Sequence, residues 1–66
     1  MIRKIGINAG IIWKYLDSNG GCSTKKIKER LTMNDKEFFL ALGWLAREEN
    51  IVFYEKEGMD FIYIDY

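Results

Sequence analysis

The 66-residue chain has no histidine, no proline and a single cysteine. Without histidine, the most frequent general base and metal ligand is missing. The carboxylates are scattered at no metal-binding spacing. The expectation is therefore no catalytic residue, no metal and no cofactor. One cysteine, Cys22, cannot close an internal disulfide, and a free thiol suits a reducing cytoplasm. No apolar run is long enough for a membrane span or a secretory signal, so no membrane partner is expected. The lack of proline leaves Gly, Asn and Asp to punctuate the chain. With neither metal nor disulfide to staple it, the chain depends on its core. It is 48% hydrophobic and 15% aromatic, which is dense enough for one small domain over residues 1–66.

Charge is balanced in sum and uneven in place. Residues 1–33 hold seven cations (Arg3, Lys4, Lys14, Lys25, Lys26, Lys28, Arg30) and two anions (Asp17, Glu29), a balance of +5. Residues 34–66 hold three cations (Lys36, Arg47, Lys56) and eight anions (Asp35, Glu37, Glu48, Glu49, Glu55, Glu57, Asp60, Asp65), a balance of −5. Such asymmetry bears on partners rather than on fold.

Apolar periodicity divides the chain. Ile5, Ala9, Ile12, Trp13 and Leu16 repeat at helical spacing, with Ile11 and Tyr15 widening the stripe, and predict a helix over about 5–18. Asn19-Gly20-Gly21 ends it. Ser23 is a good N-cap for a second helix reaching Leu31. Cys22 just before it reads as a small buried hydrophobe rather than a reactive thiol. Thr32-Met33 makes a turn. Asn34 with Glu37 forms a capping-box variant that opens a third helix, which runs to Glu48 or Glu49. Asn50 suits a left-handed stop.

From Ile51 to Glu55, and again from Phe61 to Asp65, apolar and aromatic residues alternate around a turn at Glu57-Gly58-Met59-Asp60. Ile51 and Phe53 share one face with Ile62 and Ile64. Val52, Tyr54, Phe61 and Tyr63 take the other. Two short helices joined by a tight turn, then a hairpin, outline an α+β winged helix-turn-helix. It has three helices, a C-terminal hairpin wing and a short extra strand near Cys22.

Ile7-Asn8-Ala9-Gly10, Ile12-Trp13 and above all Gly43-Trp44-Leu45-Ala46-Arg47-Glu48 resemble a group of small prokaryotic winged helix-turn-helix domains of unassigned function. The resemblance spans nearly the whole chain. It implies the winged-helix fold and no enzymatic activity, and it supplies no binding residues. Two positions depart from the common helix-turn-helix pattern. Lys28 stands where a small residue is usual, and Thr32 where Gly is usual.

Two functional classes compete. A winged helix normally lays its third helix in the DNA major groove and touches the backbone with its wing. With Leu42 at the centre of the buried face and about 100° per residue, the outward residues of helix 3 are Lys36, Glu37, Leu40, Gly43, Trp44, Arg47 and Glu48. The cations available to DNA are Lys25, Lys26 and Arg30 on helix 2, Lys36 and Arg47 on helix 3, and Lys56 on the wing. The acidic residues around helix 3 and the wing oppose phosphate, and the sequence pI is about 6.2.

Protein contact is the alternative. Leu40 and Trp44, one turn apart, and the outer-face Tyr54, Phe61 and Tyr63 are candidates for an interface, because a hairpin apolar on both faces needs a cover. The expectation is a regulator-type winged helix acting as a homodimer, with DNA its nominal and weakly held target. The alternative is a winged helix used only for contacts with protein, its own copy or another.

Overall fold

The computed structural model describes residues 2–48 and 51–65. The elements run α1 (Ile2–Asn19), β1 (Cys22–Ser23), α2 (Thr24–Leu31), α3 (Asp35–Glu48), β2 (Ile51–Lys56) and β3 (Met59–Ile64). The strands form one antiparallel sheet in the order β1-β3-β2. This is the α+β arrangement that the periodicities predict, short third strand included.

Helix α1 begins at Ile2, earlier than the expected Ile5. Neither Pro nor Gly interrupts the chain before Gly6, and Lys4 in this first stretch is tied to Glu37 of α3 by an ion pair of 2.7 Å. The helix ends through Gly20, at φ 75°. Its N–H reaches the Leu16 carbonyl at 2.8 Å, while Asn19 Nδ2 donates to the Tyr15 carbonyl at 2.8 Å. A left-handed residue at that position costs Gly nothing.

Helix α2 is capped as its sequence suggests: Lys26 N–H donates to Ser23 Oγ at 3.1 Å. It stops at Thr32, which adopts φ 55°. The N–H groups of Thr32 and Met33 close back on the Glu29 and Lys28 carbonyls at 3.3 and 3.2 Å. A β-branched residue in this region is strained, which is why glycine is usual there. The capping box of α3 forms reciprocally. Glu37 N–H donates to Asn34 Oδ1 at 2.7 Å, and Asn34 N–H to Glu37 Oε1 at 3.4 Å. Lys28, which replaces the usual small residue, pairs with Asp35 across the turn. The expected left-handed stop at Asn50 lies outside the described residues.

Strands β2 and β3 reach farther toward the turn than expected. Lys56 pairs with Met59, so only Glu57 and Gly58 remain in the turn. Both have positive φ, 54° and 77°, the pattern of a type I′ hairpin turn that matches strand twist. Phe53 lies opposite Ile62, Tyr54 opposite Phe61 and Glu55 opposite Asp60.

Ala9, Ile12, Leu16, Cys22, Ile27, Phe38, Ala41, Leu42, Leu45 and Ile62 are buried in one core. Of the stripe expected of α1 they include Ala9, Ile12 and Leu16, while Ile5 and Trp13 are half-buried; Ile27 of α2 and four residues of α3 complete the helical part, with Leu31 half-buried at the margin. Each large side chain among them contributes roughly 1.5–3 kcal/mol of burial. One expectation fails. Ile11 does not widen the buried stripe of α1; it is exposed, as is Ile7 one turn before. The sheet and α2 are too small to wrap the helix that far around.

Candidate interaction surfaces

The hairpin is the first surface. Its inner face sends Ile62 completely into the core, with Ile51 and Ile64 at the margin. Its outer face carries aromatic rings packed on one another. Tyr54 stacks on Phe61, centroids 5.3 Å apart and planes 16° apart, and meets Tyr63 edge-on at 5.7 Å. Tyr54 and Tyr63 remain exposed, while Phe61 is half-covered. Beside them an open cleft of about 590 Å³ runs along Leu16, Asp17, Gly20 and Gly21. Gly21 is pressed against this sheet. A Cβ there would sit 3.4 Å from Tyr63 Cβ and 3.5 Å from the Ile62 carbonyl oxygen. The three aromatic residues expected at an interface are thus brought together.

Helix α3 corrects the expected face. Phe38, Ala41, Leu42 and Leu45 are its buried residues. Their mean direction lies about 50° from Leu42 at 100° per residue, so Leu42 marks the edge of the buried face and not its centre. Trp44 consequently moves from the outward side to the flank, where α1 meets it. It is half-buried against the core and lines a groove with Gly6, Gly10 and Trp13 of α1. Leu40 does stay exposed. Phe39, absent from the expected outward set, is 58% exposed. Trp13 Nε1 lies buried here with no hydrogen-bond partner among the described residues.

Phe39 borders a second cleft of about 470 Å³ between α3, the start of α2 and the far half of the hairpin. Its lining includes Thr24, Phe39, Leu42, Phe53, Glu55 and Asp60. Phe53 belongs to the inner face of the hairpin, yet it is 51% exposed; it lies on β2, the edge strand, whereas Ile62 directly opposite it on the central strand β3 is fully buried. In a DNA-reading winged helix, the region between third helix and wing meets the phosphate backbone. Here it is aromatic and acidic.

Lys25, Lys26, Arg30, Lys36, Arg47 and Lys56 are all exposed. They are spread over α2, α3 and the wing rather than gathered into one stripe. Lys4 and Lys28 are engaged by Glu37 and Asp35. The Lys4 ammonium, bonded to the Glu37 carboxylate, and the Asn34 N–H beside it hold that carboxyl below its ordinary value. Cys22 is buried, its thiol directed at the Gly20 carbonyl oxygen 3.6 Å away. Among the described residues no group of His, Cys, Asp and Glu could hold a metal ion. No described helix is long and apolar enough to cross a membrane.

The comparisons agree with the geometry. Residues 1–64 match the model of the winged helix-turn-helix domain family DUF2582, and the chain belongs to that family. The fold is also similar to the solution NMR structure of protein BT2368 from Bacteroides thetaiotaomicron, with a TM-score of 0.81 and 34% identity. That alignment covers 94% of this chain and 76% of the other. No curated protein shows a significant match.

Proposed function

We propose that this winged helix-turn-helix domain works as a homodimer held by apolar surface, and that it contacts DNA only weakly. The observation that carries this reading is the cleft between α3 and the hairpin. Where phosphate would lie, it presents Phe39 and Phe53 with Glu55 and Asp60. Phosphate binding draws its affinity from cations, so such a surface favours a protein neighbour over a nucleic acid. The exposed Leu40, Tyr54 and Tyr63 add to the apolar area in need of cover. A two-fold dimer is the simplest closed way to provide it.

A regulatory role with DNA as a secondary target is supported by α2. Lys25, Lys26 and Arg30 are exposed there, and they are the residues we assign to phosphate. The proposed setting is the cytoplasm, where a lone thiol stays reduced. The role is non-catalytic.

Sedimentation velocity across the micromolar range tests the first part, and the expected species is a dimer. A wild-type chain that remains monomeric throughout would overturn it. Titration with arbitrary duplex tests the second part. Binding should be weak at physiological ionic strength, stronger at low salt, and lost in Lys25→Ala/Lys26→Ala. Tight binding insensitive to salt would show that helix α3 and the wing accept phosphate after all. A dimer with no DNA binding even at low salt would favour a fold used for protein contact alone.

A further inference from the structure

The cleft beside the hairpin holds two features that the isolated chain leaves unsatisfied. Glu55 and Asp60 sit directly opposite each other in the β2–β3 ladder, on the same face as Phe53 and Ile62. Like charges directly opposite across strands destabilise the pair. Among the described residues neither carboxylate has an ion-pair partner, unlike Glu37, paired with Lys4, and Asp35, paired with Lys28. Lys56 is next along β2, but strand alternation sends it to the other face. Beside the carboxylates, Phe39 and Phe53 are each more than half exposed.

Cations follow in sequence at one end of the same cleft, outside its lining. Thr24, the first residue of α2, lines it. Lys25 and Lys26 follow in that turn, both exposed and neither in an ion pair. A surface with an apolar middle, cations at one part of its rim and anions at another is self-complementary under a two-fold axis. We infer that two copies of this chain associate face to face through this cleft. The first turn of α2 of each is seated against the Glu55–Asp60 pair of the other, so that partner and phosphate compete for Lys25 and Lys26 and DNA is held weakly, and Phe39 and Phe53 are covered between them. The +5 and −5 halves of each chain then meet their opposites in the partner. This inference rests on the homodimer reading and adds the surface that makes it.

Charge reversal with mixing tests it by sedimentation velocity. Lys25→Glu/Lys26→Glu and Glu55→Lys/Asp60→Lys should each weaken self-association at least tenfold. In an equimolar mixture every reversed α2 meets a reversed hairpin, so a heterodimer should form with affinity near that of the wild type. All four positions are exposed, and anions in the first turn of α2 favour the helix; circular dichroism confirms that each variant is folded. Phe39→Ala, with no charge change, should also weaken the dimer at least tenfold.

A wild-type dimer that both charge variants leave intact, or a mixture no tighter than its parts, would overturn this surface and leave the homodimer standing on another, such as Tyr54 and Tyr63. A monomeric wild type would overturn the surface and the homodimer together.

Discussion

The helical body and the hairpin are both rich in apolar side chains and use them differently. In the body, Ile12, Ile27 and Phe38 are wholly inaccessible to solvent. In the hairpin Ile62 alone reaches that state, while Phe53, Tyr54, Met59 and Tyr63 stay exposed. The difference comes from what lies against each element. The helices are covered by one another and by the inner face of the central strand β3, whereas the outer face of the hairpin and its edge strand β2 are left largely uncovered. Hydrophobic residues make a core only where a second element covers them. The same residues beyond that edge become surface seeking a partner.

The contrast is broken most directly by Phe38→Ala. Removing a fully buried ring should cost about 3–5 kcal/mol, read as a lowered midpoint in urea unfolding of a dilute sample. A loss below about 1 kcal/mol would mean that the body is not the core described here. Phe53→Ala should do the reverse. It should change the stability of the dilute chain little, because the ring is half in water, and weaken the dimer by about 2 kcal/mol. Equal effects of the two substitutions on unfolding would erase the distinction between body and hairpin.

Thr32→Gly sharpens the comparison at the junction between α2 and α3. It should stabilise the fold by about 1 kcal/mol, since glycine adopts φ 55° without strain. A destabilised variant would assign the threonine side chain a contact that outweighs the backbone cost.

The smallest effect concerns pH. Glu37 has its folded pKa lowered from 4.5, so the stability it adds is present above that value. It is lost as pH falls through 4.5 toward the lower folded value. Glu37→Gln should lower stability slightly at neutral pH and leave it unchanged at low pH, so that the acid limb of a plot of stability against pH flattens by that small amount. An unchanged acid limb would mean that the Lys4 pair is inert in solution.

Much of the fold is legible because periodicity and capping agree. Ser23, the Asn34–Glu37 box and Gly58 mark the joints correctly. The phase of α3 was harder to read. Phe38, Ala41 and Leu45, spaced by three and four, define the buried stripe better than Leu42 does. Centring on Leu42 turned Trp44 outward and overlooked Phe39. The mean direction of all four residues puts Trp44 and Phe39 alike about 110° away, on opposite flanks; that α1 covers the Trp44 flank and leaves Phe39 exposed is a matter of packing.

The cleft was legible only in part. Its cations and carboxylates are plain in the sequence. That Glu55 faces Asp60 follows only once a two-residue turn at Glu57-Gly58 sets the register. That Phe53 escapes the core depends on β2 being the edge strand beside the fully buried Ile62, and strand alternation cannot reveal that.

The two residues of β1 have one further consequence. Cys22 pairs with Ile62, forty positions away, and its thiol is buried behind that ladder. The α1·α3 packing brings together elements that neighbour α2, and the hairpin closes locally. The β1–β3 ladder joins the region between α1 and α2 to the last strand. Whenever it opens, the thiol meets solvent. Labelling of Cys22 by a thiol reagent therefore records the opening rate or the opening equilibrium of the sheet, according to whether labelling outpaces closing. The chain carries its own clock for its least local strand pairing, with no residue introduced.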